Sequence, residues 1–194
     1  MGSWLARLAP DGANLGQRFE ELFLPHLNAA YSLARFIARD PAAADDIVQE
    51  SFLRAFRSFA TYRGGDAKTW LLTIVRNCSF DWTKSNRRNA GVEMAEREVT
   101  AAQIGHCAPA DLNELPDVSQ DDPETSLQRE SEIAEVRSMI QRLPEPFRET
   151  LVLRELEELS YKQIAEATGV PVGTVMSRLA RARRMLTEEV EQMR

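Results

Sequence analysis

The 194-residue sequence has little of what builds reactive centres, with only two cysteines and two histidines. Cys78 and Cys107 are too few for a disulfide framework. Cys107 follows His106 in a polar stretch, and that pair is short of the ligands a metal site needs. With His26 and His106 far apart and no nucleophile or metal constellation, nothing supports a catalytic site, a metal or a cofactor. No run approaches the roughly 20 apolar residues that span a bilayer, which excludes stable membrane insertion. Met1-Gly2-Ser3-Trp4 does not open a basic segment followed by an apolar core, so nothing suggests export. The residues after Gly2 do not supply the Ser or Thr of an acylation signal. A cytoplasmic location is expected.

Net positive charge is also missing. The formal charge of −6 argues against phosphate binding until its distribution is read. Residues 54–90 hold eight Lys/Arg against two Asp/Glu. Residues 91–127 hold one Arg against nine Asp/Glu, and residues 172–184 hold four Arg and no acid. Two basic surfaces joined by an acidic connector average to a misleading total.

Period-2 alternation is absent and period-3.6 patterns dominate, which predicts an all-α protein. A first helix is expected from about Leu15 to Ala38, kinked or divided by Pro25, after a flexible N-terminus over 1–14. Asp40-Pro41 supplies a cap and a first-turn proline for a helix that puts Ile47, Phe52 and Phe56 toward the core. Arg63-Gly64-Gly65-Asp66 breaks and recaps the chain. A third helix carries Trp70, Leu71, Ile74 and Val75, with Trp70 a core residue, and continues or bends near Asn77 toward Arg88. From Gly91 the helical pattern fails. Pro109, Pro116, Pro123 and the acidic residues mark 91–127 as a linker between domains at 15–90 and 128–194. Leu127, Ile133, Val136 and Ile140 then resume a helix up to Leu143-Pro144, and Phe147, Leu151, Val152 and Leu156 follow.

The sharpest local signal is Ser160–Leu186. Ser160-Tyr161-Lys162-Gln163 has the spacing of a capping box, Gly169 stops that helix, and Pro171-Val172-Gly173-Thr174 starts another. The length and turn chemistry are those of a helix-turn-helix. In the second helix Val175, Leu179, Ala182 and Leu186 recur toward the core. Thr174, Ser177, Arg178, Arg181 and Arg184 stay outside, as hydroxyls and guanidiniums that can read base edges and clamp phosphates. A solvated arginine-rich helix end is the bland alternative.

Here a resemblance becomes specific. Arg142-Leu143-Pro144-Glu145-Pro146-Phe147-Arg148, Leu153-Arg154-Glu155-Leu156, Ser160-Tyr161-Lys162-Gln163-Ile164-Ala165 and Val172-Gly173-Thr174-Val175-Met176-Ser177-Arg178 resemble region 4 of the extracytoplasmic-function (ECF) sigma factors. The likeness spans roughly residues 128–190. It implies minus-35 recognition in the major groove, with base or near-base contacts from Ser177, Arg178 and Arg181. Tyr161, Lys162 and Arg184 would contact the backbone.

Asp45-Asp46-Ile47-Val48-Gln49-Glu50-Ser51-Phe52 and Thr69-Trp70-Leu71-Leu72-Thr73-Ile74-Val75-Arg76-Asn77 resemble region 2 of the same family, over roughly residues 19–90. On the 41–59 helix, Asp46, Gln49, Glu50, Leu53 and Arg54 stay outside. They read equally as a solvated face or as an interface rim around one leucine. The resemblance implies that they bind the clamp helices of the largest subunit of core RNA polymerase, while region 4 meets the flap of the second-largest subunit. It also implies that Asn77, at a junction of two helices, captures a base flipped from the minus-10 strand. Lys68 and Arg76 would lie beside it, and Lys84, Arg87 and Arg88 on phosphates.

The function expected is therefore a sigma factor that directs core polymerase to promoter DNA, serves a stress or envelope response and is held by an anti-sigma factor. The acidic linker is either a solvated tether or a nucleic-acid mimic threading the basic cleft of the polymerase. Two other readings remain: a stand-alone helix-turn-helix regulator, which needs no polymerase-binding face, and a sigma-like decoy, which needs no DNA-reading arginines.

Overall fold

Pro25 divides the first expected helix. In a computed structural model describing residues 12–96 and 123–193, α1 (Gly12–Phe23) passes through a 3-10 turn at Leu24–His26 into α2 (Leu27–Ala38). Proline has no N–H to continue the α-helical ladder there. Arg39 closes α2 in the left-handed region, at φ 61°, with its N–H donating to the carbonyl of Arg35. Asp40 then caps α3 (Pro41–Ser58), its Oδ1 accepting from the backbone N–H of Ala42 at 3.0 Å and of Ala43 at 3.4 Å. Gly64 and Gly65, at φ 85° and 106°, make the break before α4. Asp66 caps α4 (Ala67–Glu96), accepting from the N–H of Lys68 at 3.2 Å and from the Thr69 hydroxyl.

α4 runs unbroken through Asn77 to Glu96, so the helix junction expected at Asn77 is not there. The sequence from Ala67 to Ala90 holds neither proline nor glycine, so nothing in it breaks the ladder. The segment read as a linker is helical at both ends, up to Glu96 and again from Pro123. Its interior, 97–122, lies outside the described residues together with His106 and Cys107, as does the N-terminal stretch 1–11.

The N-terminal domain is a bundle in which α2, α3 and α4 pack against one another and α1 covers one end. Phe19, Phe23, Phe59, Tyr62 and Trp70 meet at ring separations of 4.8–6.1 Å, mostly edge-on or tilted. Such pairs add about 0.5–1.5 kcal/mol each beyond area burial. Trp70 is thus part of the core, as its spacing predicted. Cys78 is buried beneath α3, and burial pushes its thiol up, so it is a packing residue and not a nucleophile.

The C-terminal domain comprises α5 (Pro123–Arg142), α6 (Glu145–Leu151) with a π turn at Val152–Leu156, α7 (Tyr161–Thr168) and α8 (Val172–Met193). Leu151, Val152, Leu153, Ile164, Val175, Leu179 and Ala182 form its interior. Arg148 is buried there and donates through Nη1 to the carbonyls of Gln141 (3.2 Å) and Leu143 (2.8 Å). Those carbonyls end α5 and have no helical donors. Ile133 and Val136, which helped mark this helix by their spacing, are each 49% exposed, and Leu156 is 45% exposed. With the π turn they form an apolar strip on the surface.

Every regular element among the described residues is helical, as expected of an all-α chain. No helix among them is long and apolar enough to cross a membrane. The two domains touch, α2 against α6 and α4 against α7, and their cores form one continuous cluster.

Candidate nucleic-acid interface

The helix-turn-helix is built from local sequence signals. Ser160 Oγ accepts from the N–H of Gln163 at 3.3 Å, and Gln163 Oε1 accepts from the N–H of Ser160 at 2.8 Å, which completes the capping box. Gly169 ends α7 at φ 69°, where a side chain would be strained. Val175, Leu179 and Ala182 are buried along one stripe of α8, which fixes its rotation about its own axis.

That rotation turns Ser177, Arg181 and Arg184 outward, with Lys162 of α7 exposed beside them and Thr174 and Arg178 half-buried. Ser177 Oγ donates to the carbonyl of Thr174 at 3.0 Å, which leaves its lone pairs outward. The Arg181 guanidinium lies 5.7 Å from the centre of the Phe147 ring, and that of Arg154 lies 5.2 Å from the centre of the Tyr161 ring. Arg184 pairs with Glu188 at 3.4 Å, an exposed contact worth little against a phosphate. A helix carrying hydroxyls and guanidiniums on one face and held on its other by a capped partner can enter a major groove.

The second set lies along α4. Lys84 and Arg88 are exposed, and Arg87 is on the same helix with its side chain outside the described ones. Asn77 is exposed, and its Oδ1 accepts from Arg76 Nη1 at 3.3 Å. Arg76 and Lys68 are not open to solvent in the same way. Arg76 stacks 4.7 Å from the centre of the Phe80 ring and pairs through Nε with Glu149 of α6. Lys68 Nζ lies 3.1 Å from Glu157 Oε2 and donates to its carbonyl at 2.7 Å. Two further contacts cross between the domains. Arg39 Nη2 donates to the carbonyl of Leu143 at 3.1 Å, and Gln163 Nε2 donates to Asp66.

Burial pushes the Glu149 carboxyl up, and Arg76 and Arg178 only partly oppose it. For Asp66, burial raises its carboxyl, but the donors Thr69, Gln163 and the Lys68 N–H together take it below the usual range. Sequence reasoning missed Glu149 and Glu157. Their partners lie 73 and 89 residues away, and no local spacing signals such pairs.

On α3, Asp46, Gln49 and Arg54 are exposed while Glu50 and Leu53 are half-buried. Arg54 reaches Glu50 at 2.7 Å and Asp81 of α4 at 3.0 Å, tying the two helices. Those two carboxylates raise the guanidinium further above its ordinary value, Glu50 first. Glu50 and Leu53 are thus less open than the outward face expected of them, and Leu53 is less open than a free anchor would be.

Comparison with known proteins bears on both halves of the molecule. Residues 22–89 match the family model for sigma-70 region 2, and residues 133–186 match that for sigma-70 region 4. The chain is 35% identical over 161 residues to the ECF RNA polymerase sigma-E factor of Haemophilus influenzae, covering 82% of this chain and 79% of that one. It is 34% identical over 178 residues to the RNA polymerase sigma-H factor of Pseudomonas aeruginosa, covering 89% and 86%. Among solved structures, the sigma factor RpoE of Bartonella quintana in complex with the anti-sigma factor NepR shares the fold, with a TM-score of 0.64 at 24% identity over 92% of this chain and 99% of that one. CnrH in complex with the cytosolic domain of CnrY gives 0.62 at 20% over 93% and 94%. With region 2 in the α1–α4 bundle, region 4 in α5–α8, and sigma-factor relatives matched along most of the length, the chain belongs to the ECF sigma factors, non-enzymatic subunits that direct promoter-specific initiation by RNA polymerase.

Proposed function

We propose that the two domains divide promoter recognition between α8 and α4. In this reading α8 enters the major groove at the minus-35 element. Ser177, Arg178 and Arg181 contact or approach base edges there, Thr174 lies beside them, and Tyr161, Lys162 and Arg184 hold the backbone. α4 receives the minus-10 strand, with Asn77 taking an extruded base, Lys68 and Arg76 beside it, and Lys84, Arg87 and Arg88 on phosphates. The face of α3 formed by Asp46, Gln49, Glu50, Leu53 and Arg54 docks on the clamp helices of the largest subunit, and region 4 docks on the flap of the second-largest. The acidic segment 91–127 enters the basic cleft of the polymerase, as its charge favours. The chain works in the cytoplasm, in a stress or envelope response, under an anti-sigma factor of the kind seen with the two solved structures it resembles.

One observation carries this reading: a capped helix-turn-helix whose second helix turns Ser177, Arg181 and Arg184 outward. A decoy that only sequesters an inhibitor needs no such face. Run-off transcription with core polymerase on a genomic library tests it. The expected products share two upstream elements at fixed spacing; products no different from those of core polymerase alone would sink the reading.

A further inference from the structure

Three of the four arginines of α8 belong to the proposed reading face, and Arg183 is the fourth. At about 100° per residue, Arg183 falls about 80° to one side of Val175 in the buried stripe, while Arg178 and Arg181 fall about 60° and 120° to the other. Its guanidinium turns to the π turn instead, where Nη2 donates to Glu155 Oε1 at 2.6 Å. It is also in hydrogen-bond reach of the Tyr161 hydroxyl. Arg154, beside Glu155 in the same turn, donates through Nη1 to the carbonyl of Leu159 at 2.8 Å and lays its guanidinium 5.2 Å from the centre of the Tyr161 ring. Tyr161 opens α7 directly after the Ser160 cap, so its backbone is fixed as well. We propose that Arg154 and Arg183 are positioning residues for minus-35 binding, holding the Tyr161 side chain so that its hydroxyl donates to a phosphate oxygen of the DNA backbone.

The chemistry follows from what each group can give. A guanidinium has donors only, so toward Arg183 the phenol oxygen can only accept. Its own proton is then left to point elsewhere, and a phosphate oxygen is an acceptor that suits it. The guanidinium of Arg154 over the ring face restricts the rotation that remains. Ordering a side chain otherwise opposes binding at the moment of contact, and a ring held in advance avoids that cost. Arg154 and Glu155 are consecutive, and the π turn at Val152–Leu156 presents one to α7 and the other to α8. The contact of Glu155 with Arg183 is exposed and worth little as stability. It does choose one direction for a long side chain that would otherwise sweep the surface. The inference rests on the assignment of Tyr161 to the DNA backbone.

The test is a pair of double-mutant cycles in reconstituted holoenzyme. Tyr161→Phe, Arg183→Ala, Arg154→Lys and the two combinations with Tyr161→Phe are compared for affinity to a promoter duplex recovered by run-off selection, over a series of salt concentrations. Each variant is read below its own melting transition, and Arg154→Lys keeps a donor for the Leu159 carbonyl. Tyr161→Phe is expected to bind about tenfold more weakly, the scale of a hydrogen bond to a charged acceptor. Arg183→Ala and Arg154→Lys should each lose a comparable factor alone and lose nothing further on top of Tyr161→Phe, with the salt slope of wild type. Arg183→Lys, which can still donate to the phenol, should recover most of the loss. Wild-type affinity in either arginine variant, or losses that multiply with that of Tyr161→Phe, overturn the proposal. So does a salt slope reduced by about one in Arg183→Ala, because it would make Arg183 itself a phosphate contact. Wild-type affinity in Tyr161→Phe removes the backbone assignment of Tyr161 and the proposal with it. A weakened Tyr161→Phe with multiplying losses keeps the assignment and discards the positioning.

Discussion

Arg76 and Glu149, one on α4 and the other on α6, form an ion pair across 73 residues of sequence, with the carboxylate side chain only 3% exposed. An arginine proposed for the minus-10 strand thus has a partner inside its own chain. The consequences for binding, opening and stability can each be measured.

Arg181→Ala and Arg178→Ala are each expected to weaken minus-35 recognition by about 1–3 kcal/mol, the range for a lost groove contact. Arg181 is fully outward, whereas Arg178 is half-buried, so the Arg181 effect should be the larger. Transcription from templates with intact and scrambled minus-35 elements measures it. Equal loss on both templates would assign these arginines to phosphates alone.

Asn77→Ala is expected to impair promoter opening more than duplex binding. Asn77 is exposed on a continuous helix and touches only the neighbouring Arg76 among the bonds described. The substitution therefore leaves the fold intact. Permanganate reactivity of the minus-10 thymines should fall while duplex affinity holds; a normal bubble removes Asn77 from the site.

Ser160→Ala is expected to cost about 1 kcal/mol of stability, the usual effect of losing an N-cap. Ser160 makes the first half of the capping box and has no assigned DNA contact. Melting temperature should fall while the salt dependence of DNA binding stays as in wild type, because no phosphate contact is lost. A changed salt slope would show that Ser160 meets the backbone itself.

Stability should also respond to pH through Glu149. Burial raises its carboxyl, and Glu145 on its own helix adds slightly, while Arg76 from α4 and Arg178 from α8 oppose. The folded chain thus holds this proton more tightly than the unfolded one. The contribution of Glu149 to stability is full below about pH 4.5 and is lost as pH rises through the raised value. Glu149→Gln should therefore gain melting temperature relative to wild type as pH is raised from acid to neutral. A difference that is flat or shrinks with pH would show that Arg76 more than offsets the burial.

Most of this architecture is written in local signals. Asp40-Pro41, Gly64-Gly65-Asp66, Ser160 with Gln163, and Gly169 each mark a helix end, because caps and positive-φ turns depend on residues a few positions apart. The outward set on α8 follows from the buried stripe Val175–Leu179–Ala182 in the same way. What the sequence hid depends on distance. Nothing near Arg76 or Lys68 marks them as partners of Glu149 and Glu157. The helical pattern leaves α4 free to continue or bend near Asn77, and with no breaker in the stretch it continues. Ile133 and Val136 have helical spacing, yet each is about half exposed, at 49%.

Asp66 and Gln163 connect two helix beginnings. Asp66 already holds the N–H of Lys68, and Gln163 already holds the N–H of Ser160 through its other amide atom. Each terminus is therefore complete within its own domain, and the bond between them is additional. Water can therefore replace that bond without unwinding either helix. The bond between them can thus be lost while both helix ends keep their shape.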